Sequence, residues 1–220
     1  MNVASATAAA PQPVLTHGRV TLRPLTDAGP AAWRRIHAHF RDPEIAFLNG
    51  TPPSRMPMWL LRRVLRSDAR RPDRRTYGIY DEQGDYVGTI ELYDLRGHEA
   101  TLGIIIGERT HWGRGYGPEA IRALLDHAFV DLGLERVRLH TFADNPRAQA
   151  AFKKVGFEER RRVPARQGRV DVQMALERGA WVARARAGLA GTERARPDAR
   201  ERAGLDARER AGLDARDRAG

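Results

Sequence analysis

Three glycines at alternate positions, Gly113, Gly115 and Gly117 in HWGRGYGPEA, stand just before a run of helical period. Ile121, Leu124, Leu125, Ala128 and Leu132 fall on one face of that run. Pro118 suits the first helical position and Gly133 the cap that ends it. The apolar stretch LGIIIG lies upstream and reads as a strand. The fold must therefore carry a strand, a bare turn and a helix N-terminus in succession. N–H groups and the dipole at a helix start attract anions, and glycine lets a phosphate reach the backbone. Arg114 adds a positive charge. A plain connection needs fewer glycines, so the stretch predicts a site for a phosphorylated ligand.

The flanking pattern is mixed. A strand over Arg19–Leu22 is followed by a helix with Trp33, Ile36 and Phe40 on one face. A second helix over Met58–Leu65 places Leu61, Val64 and Leu65 together. Strands Thr76–Tyr80, Tyr86–Tyr93 and Ala100–Ile106 are joined by short turns and read as an antiparallel meander. After the glycine helix come strand Val137–Phe142 and a helix with Asn145 as N-cap, Pro146 in its first turn and Gly156 as its stop. Strands Phe157–Val163 and Val170–Ala175 close the unit. The layout is α/β, mixed in the α+β sense.

Composition removes several classes. With no cysteine, no disulfide framework, thiolate metal site or thiol nucleophile is available. The seven histidines show no HExxH or paired spacing, so no metal is expected. No apolar run approaches the ~20 residues of a membrane span, and the N-terminus lacks the basic and apolar regions of a signal peptide. A cytoplasmic enzyme is the default. The net charge is +10, and all but two basic residues are arginine, the exceptions being Lys153 and Lys154. A GC-rich genome explains that skew more simply than a partner does. Residues 198–220 repeat DARERAGL with a period of eight, too short for a solenoid and too poor in apolar residues for a core. In that tail acids nearly balance arginines, which weakens a nucleic-acid arm. The expected organisation is a disordered segment at 1–13, a folded domain at 14–182 and a low-complexity tail at 183–220.

Which phosphorylated ligand the loop holds is narrowed by spacing. No Gly-Lys-Ser/Thr follows it, so it is no Walker loop. Residues 115–120 match the dinucleotide fingerprint G-x-G-x-x-A by letter, and Asp144 lies near the end of the next strand. In that fold, however, the strand runs directly into the first glycine, whereas here ERTH intervenes. The segments IIIGERTHWGRGYGPEAIRALLDHAF, NPRAQAAFKKVGFEE and GRVDVQMALE, in that order, resemble the GCN5-related N-acetyltransferases (GNAT). The likeness is greatest to the branch of ribosomal-protein N-terminal and spermidine acetyltransferases. It covers about Thr16 to Trp181 and includes the opening VTLRPLTDAG.

The resemblance implies a GNAT fold: a central, mostly antiparallel mixed sheet of six to seven strands flanked by about four helices. It implies acetyl-CoA as cosubstrate and acetyl transfer to a primary amine by direct attack. The backbone of Ile105, Ile106 and Gly107 would pair with the pantetheine arm. The N–H groups of Trp112, Gly113, Arg114, Gly115, Tyr116 and Gly117 would hold the pyrophosphate. Asn145 would bond the arm while also capping its helix, and Lys153 would reach a terminal phosphate or stay in solvent. The family's frequent tyrosine acid falls on Phe152, and a serine used by some relatives falls on Ala148; neither can donate a proton. Water or Tyr116 could substitute. For the base, Glu91 and Asp94 stand on or just after the strand before LGIIIG, with Asp94 nearer the matching place; His111 is a further candidate.

The acceptor pocket is expected from Trp33–Leu48, Met58–Leu65 and the loop before Val170. Their only acids, Asp42 and Glu44, argue mildly against a polyamine. A protein N-terminus, an antibiotic or a small metabolite stays open, and so does a homodimer. Two other classes remain: an acyl-CoA-binding protein without catalysis, and a basic nucleic-acid-binding module.

Overall fold

Gly18, at φ +57°, turns the chain between β1 (Leu15–His17) and β2 (Val20–Pro24), an antiparallel hairpin. The computed structural model describes residues 12–194. The chain divides into two compact units after Arg178. In the second unit the described part is residues 179–194 of helix α6 (Arg178–Arg194), so the first residues of the expected tail are helical. The octad repeats and the first eleven residues lie outside the described residues.

Three helices follow β2. In α1 (Pro30–Arg41), Ala32, Trp33, Ile36 and His39 are buried, one face at helical spacing. Helix α2 (Pro43–Leu48) is capped by Asp42, whose side chain accepts from the N–H groups of Glu44 and Ile45. In α3 (Met58–Asp68) only Leu61 is buried and Val64 is exposed, so the expected three-residue face is narrower. Leu65 still packs on the cluster built by Trp33, Ile36, Tyr80 and Tyr86.

Strands β3 (Arg75–Tyr80), β4 (Tyr86–Arg96) and β5 (Glu99–Ile106) form the expected antiparallel meander. Helix α4 (Tyr116–Asp126) begins two residues before the predicted Pro118 and runs into a π turn over His127–Asp131. Then come β6 (Arg136–Phe142), α5 (Pro146–Val155), β7 (Glu158–Pro164) and β8 (Val170–Glu177). The sheet order is β1-β2-β3-β4-β5-β6-β8-β7, and β5 with β6 is its one parallel pair. The mostly antiparallel sheet is as expected, but the described residues hold eight strands and six helices, more than six to seven and about four. The additions are short or terminal: β1, α2 and α6.

Residues opposite one another in a ladder share a face. Thr76, Glu91 and Gly103 therefore lie on one face, and Tyr77, Ile90 and Ile104 on the other. The second face meets α4, where Gly117 approaches Ile106.

Candidate functional site

The parallel ladder between β5 and β6 runs only from Glu99↔Arg136 to Leu102↔Leu139. Beyond it the two strands part. A cavity of about 360 Å³ opens there, lined among others by Ile104, Ile106, Gly115, Gly117, Asn145 and Phe152.

Strand geometry decides which backbone groups face that opening. The His98 carbonyl accepts from the Arg136 N–H, so even-numbered residues of β5 direct their polar groups toward β6. Ile106 agrees, since its carbonyl accepts from Trp112 Nε1 at 2.7 Å. Ile104 and Ile106 thus present an edge where β6 has turned away. Ile105, on the alternate phase, pairs with Thr89 of β4, and Gly107 N–H donates to the Val87 carbonyl. Ile104, which the sequence reading omitted, replaces Ile105 as an edge residue. The signal for it was the strand's phase, which depends on a partner distant in sequence.

At the mouth of the opening, Gly113 and Gly115 hold φ of +73° and +96°, and Gly115 caps α4. Among the described residues none accepts from the N–H groups of Gly113, Gly115, Tyr116 or Gly117. The N–H groups of Trp112 and Arg114 are already committed, to the carbonyls of Arg109 and His111. The nest is therefore narrower than the six residues expected. The loop is clipped from outside: Arg19 Nη2 donates to Glu119 and to the Arg114 carbonyl, both at 2.8 Å. Tyr116 donates its hydroxyl to Glu82 at 2.8 Å, and that bond, with burial, raises its pKa. His111 Nε2 lies 3.2 Å from Asp81. Both side chains tie the loop to the β3–β4 turn.

Helix α5 forms the other wall. Asn145 is buried and its Oδ1 accepts from the Ala148 N–H at 3.1 Å, the predicted cap, while its amide NH₂ has no partner among the described residues. Phe152 is buried, edge-on to Phe157. Lys153 is exposed and its neighbour Lys154 lines the cavity instead. Arg147 also lines it, and no letter pattern singled it out. Its guanidinium lies 3.5 Å from the centre of the Trp112 ring, and burial lowers its pKa. The helix phase that places it over Trp112 comes from the cap at Asn145.

The candidate bases separate. Glu91 stands across from Gly103 and accepts from Arg74 at 2.9 Å and from Thr76 at 3.2 Å. Burial raises its pKa above the ordinary carboxylate range, against the opposing effect of Arg74. Asp94 is exposed, with φ of +52°, at a register break near the β4–β5 turn. It is thus farther from Ile104 and Ile106 than Glu91 is. Between them Tyr93 has its pKa raised by burial and then by the charges of Glu91, Asp94 and Asp171. Arg74, paired with Glu91 and 5.4 Å from the centre of the Tyr93 ring, opposes these charges. Asp42 and Glu44 both bind Arg109, at 2.9 and 2.8 Å.

Residues 19–158 match the acetyltransferase (GNAT) domain family. A spermidine N(1)-acetyltransferase of Vibrio cholerae is 31% identical over 87 residues, 39% of this chain and 50% of that protein. An uncharacterized N-acetyltransferase, p20, of Bacillus licheniformis is 28% identical over 83 residues, 37% of this chain and 46% of that protein. The chain thus spans about half the length of the curated relatives it matches. Among solved structures, spermidine N-acetyltransferase from Vibrio cholerae in complex with CoA and spermine superposes with a TM-score of 0.67 at 22% identity. That match covers 74% of this chain and 98% of the other. At that identity the likeness speaks for the fold.

Proposed function

This chain belongs to the GNAT acetyltransferase family, and on that premise we propose that it transfers an acetyl group from acetyl-CoA to a primary amine. One observation carries the reading. The backbone edge left open at Ile104 and at the Ile106 N–H leads to a nest of free N–H groups at the start of α4. An extended amide chain ending in a pyrophosphate matches both parts.

Acetyl-CoA supplies an acetyl thioester, which an amine can attack to give an amide and a thiol. Ile104 and Ile106 pair with its amide arm as an added strand would. The N–H groups of Gly113, Gly115, Tyr116 and Gly117 receive the pyrophosphate, and Arg114 and Arg147 offset its charge. The Asn145 NH₂ donates to an arm carbonyl while its Oδ1 keeps the helix cap. The amine comes from the opposite face of the sheet, to which Glu91 and Tyr93 belong. Glu91 takes the ammonium proton, directly or through water, and its raised pKa brings it nearer to that of the ammonium. The leaving thiolate has an ordinary pKa near ~8.5 and does not require an acid at Phe152 or Ala148.

The acceptor is a small-molecule amine or a protein N-terminus. Incubating the chain with acetyl-CoA and a panel of amines, with thiol release and product mass as readouts, tests this. Acetylated product with at least one amine is the expected result. Binding of acetyl-CoA without turnover of any amine would support a non-catalytic acyl-CoA-binding protein, the reading favoured by the missing hydroxyls at Phe152 and Ala148.

A further inference from the structure

A second groove, of about 480 Å³, lies between α1 and α3 and shares no lining residue with the cofactor cleft. Its floor is the ring of Trp33, and Met58 and Trp59 form its apolar rim. Trp59 is 66% exposed and Met58 44%, an unusual pair to leave in water at a helix start. The remaining lining is basic: Arg34, Arg62, Arg63 and Arg66, with no acid among them.

Several arginines elsewhere in the molecule are ion-paired. Arg19, Arg35, Arg71, Arg74, Arg109, Arg136 and Arg169 each hold a carboxylate. Among the described residues Arg34, Arg62 and Arg63 have no ion pair, and Arg66 donates to the Thr26 carbonyl. Arg62 and Arg66 also stand at i, i+4 on α3, a like-charge pair that slightly disfavours the helix. Two guanidinium groups, of Arg62 and Arg66, stand 5.8 and 5.7 Å from the centre of the Trp33 ring. The groove thus offers flat aromatic surface and unpaired guanidinium groups at one place. Phosphate alone would leave Trp59 and Met58 unused. A duplex would hide the base faces an indole can stack on.

We propose that this face binds single-stranded nucleic acid, with a base stacked on the exposed ring of Trp59 and phosphates held by Arg34, Arg62 and Arg63. The sequence alone weighed charge in the tail, where acids nearly balance arginines; the fold gathers unbalanced arginine on a different segment.

The test is fluorescence anisotropy on the full chain with a labelled single-stranded oligonucleotide of mixed sequence, as RNA and as DNA. The matching duplex and a polyglutamate peptide serve as competitors. Binding of the single strand, RNA or DNA, in preference to both is expected. Trp59→Ala should weaken it about tenfold. Arg62→Gln with Arg63→Gln should lower the slope of log affinity against log salt by about 1.4, the share of two phosphate contacts on a single strand. Circular dichroism checks that both variants fold; if either does not, Arg34→Gln and Trp59→Tyr replace them. No binding, binding unaffected by folded variants, or preference for polyglutamate would each overturn the proposal, the last in favour of an acidic protein partner.

Discussion

Gly115 holds a left-handed φ of +96°, which costs a side-chain-bearing residue about 1–2 kcal/mol, and its N–H is one of the free donors. Gly115→Val therefore strains the nest and places methyl groups where a phosphate would approach. A Cβ there lies 3.2 Å from Arg19 Nη2, the end of a flexible side chain that can yield. We expect a folded variant whose acetyl-CoA affinity, read by calorimetry, falls at least tenfold; unchanged affinity would remove the loop from the binding site. A second residue-scale effect comes from His39. Its ring packs where any side chain on Gly107 would run into it, its Nε2 lies 3.1 Å from Glu108, and its buried Nδ1 has no partner. Burial lowers its pKa, with Glu108 opposing. The folded form thus binds fewer protons than the unfolded one near the ordinary pKa of ~6.5. The stability this confers is complete above that value and is lost as pH falls through and below it. Melting temperature should drop from about pH 7.5 to about pH 5, and His39→Phe should flatten that drop. The role of Asn145 as a cap was legible from a single letter followed by proline. That of His39 was not, because its contacts lie 68 and 69 positions away in a strand end that only the folded sheet brings near.

At the scale of elements, Asn145 joins two functions that can be separated. As N-cap of α5 it is worth about 1 kcal/mol, so Asn145→Ala should lower the melting temperature and acetyl-CoA affinity together. Asn145→Asp keeps an acceptor for the Ala148 N–H but loses the NH₂ donor and brings a negative charge into the cleft. It should melt near the parent and bind acetyl-CoA poorly; equal affinity would leave Asn145 with the cap alone. Long periodic elements were read closely: α1, the meander and α5 fall near their predicted positions. The misses have physical causes. β1 has three residues and α2 six, too few for a period to show. Val64 belongs by spacing with Leu61 and Leu65, yet α3 meets α1 along too narrow a line to cover it. The glycine helix starts at Tyr116 because Gly115, not Pro118, makes the turn into it.

For the whole molecule, a net charge of +10 provides a field that favours a polyanion. The affinity for acetyl-CoA should weaken as ionic strength rises from about 0.01 M to about 0.15 M, over which the screening length falls from ~30 to ~8 Å. Calorimetry at both strengths checks it; an affinity indifferent to salt would assign binding to short-range contacts alone. Strand order was the part of the architecture least open to sequence. Helical period and turns predicted most of the elements, but which strands become neighbours, and that β8 comes between β6 and β7, depends on contacts between distant segments.

The parting of β5 from β6 has a further consequence. Exposed strand edges invite other chains to pair, and proteins ordinarily cover or charge them. Here an edge lies inside the sheet, flanked by strands on both sides. Paired strands stand ~4.8 Å apart, so a gap that has just opened admits a slender thread more readily than a polypeptide with side chains on both faces. The sheet thereby keeps an unpaired edge without becoming sticky, and shape alone sorts what can complete it. Hydrogen exchange should report this directly. The amides of Ile104 and Ile106 should exchange quickly in the free chain and slow sharply with acetyl-CoA, while that of Ile105, paired with Thr89, should be slow in both. Equal protection of all three in the free chain would mean that the edge is closed.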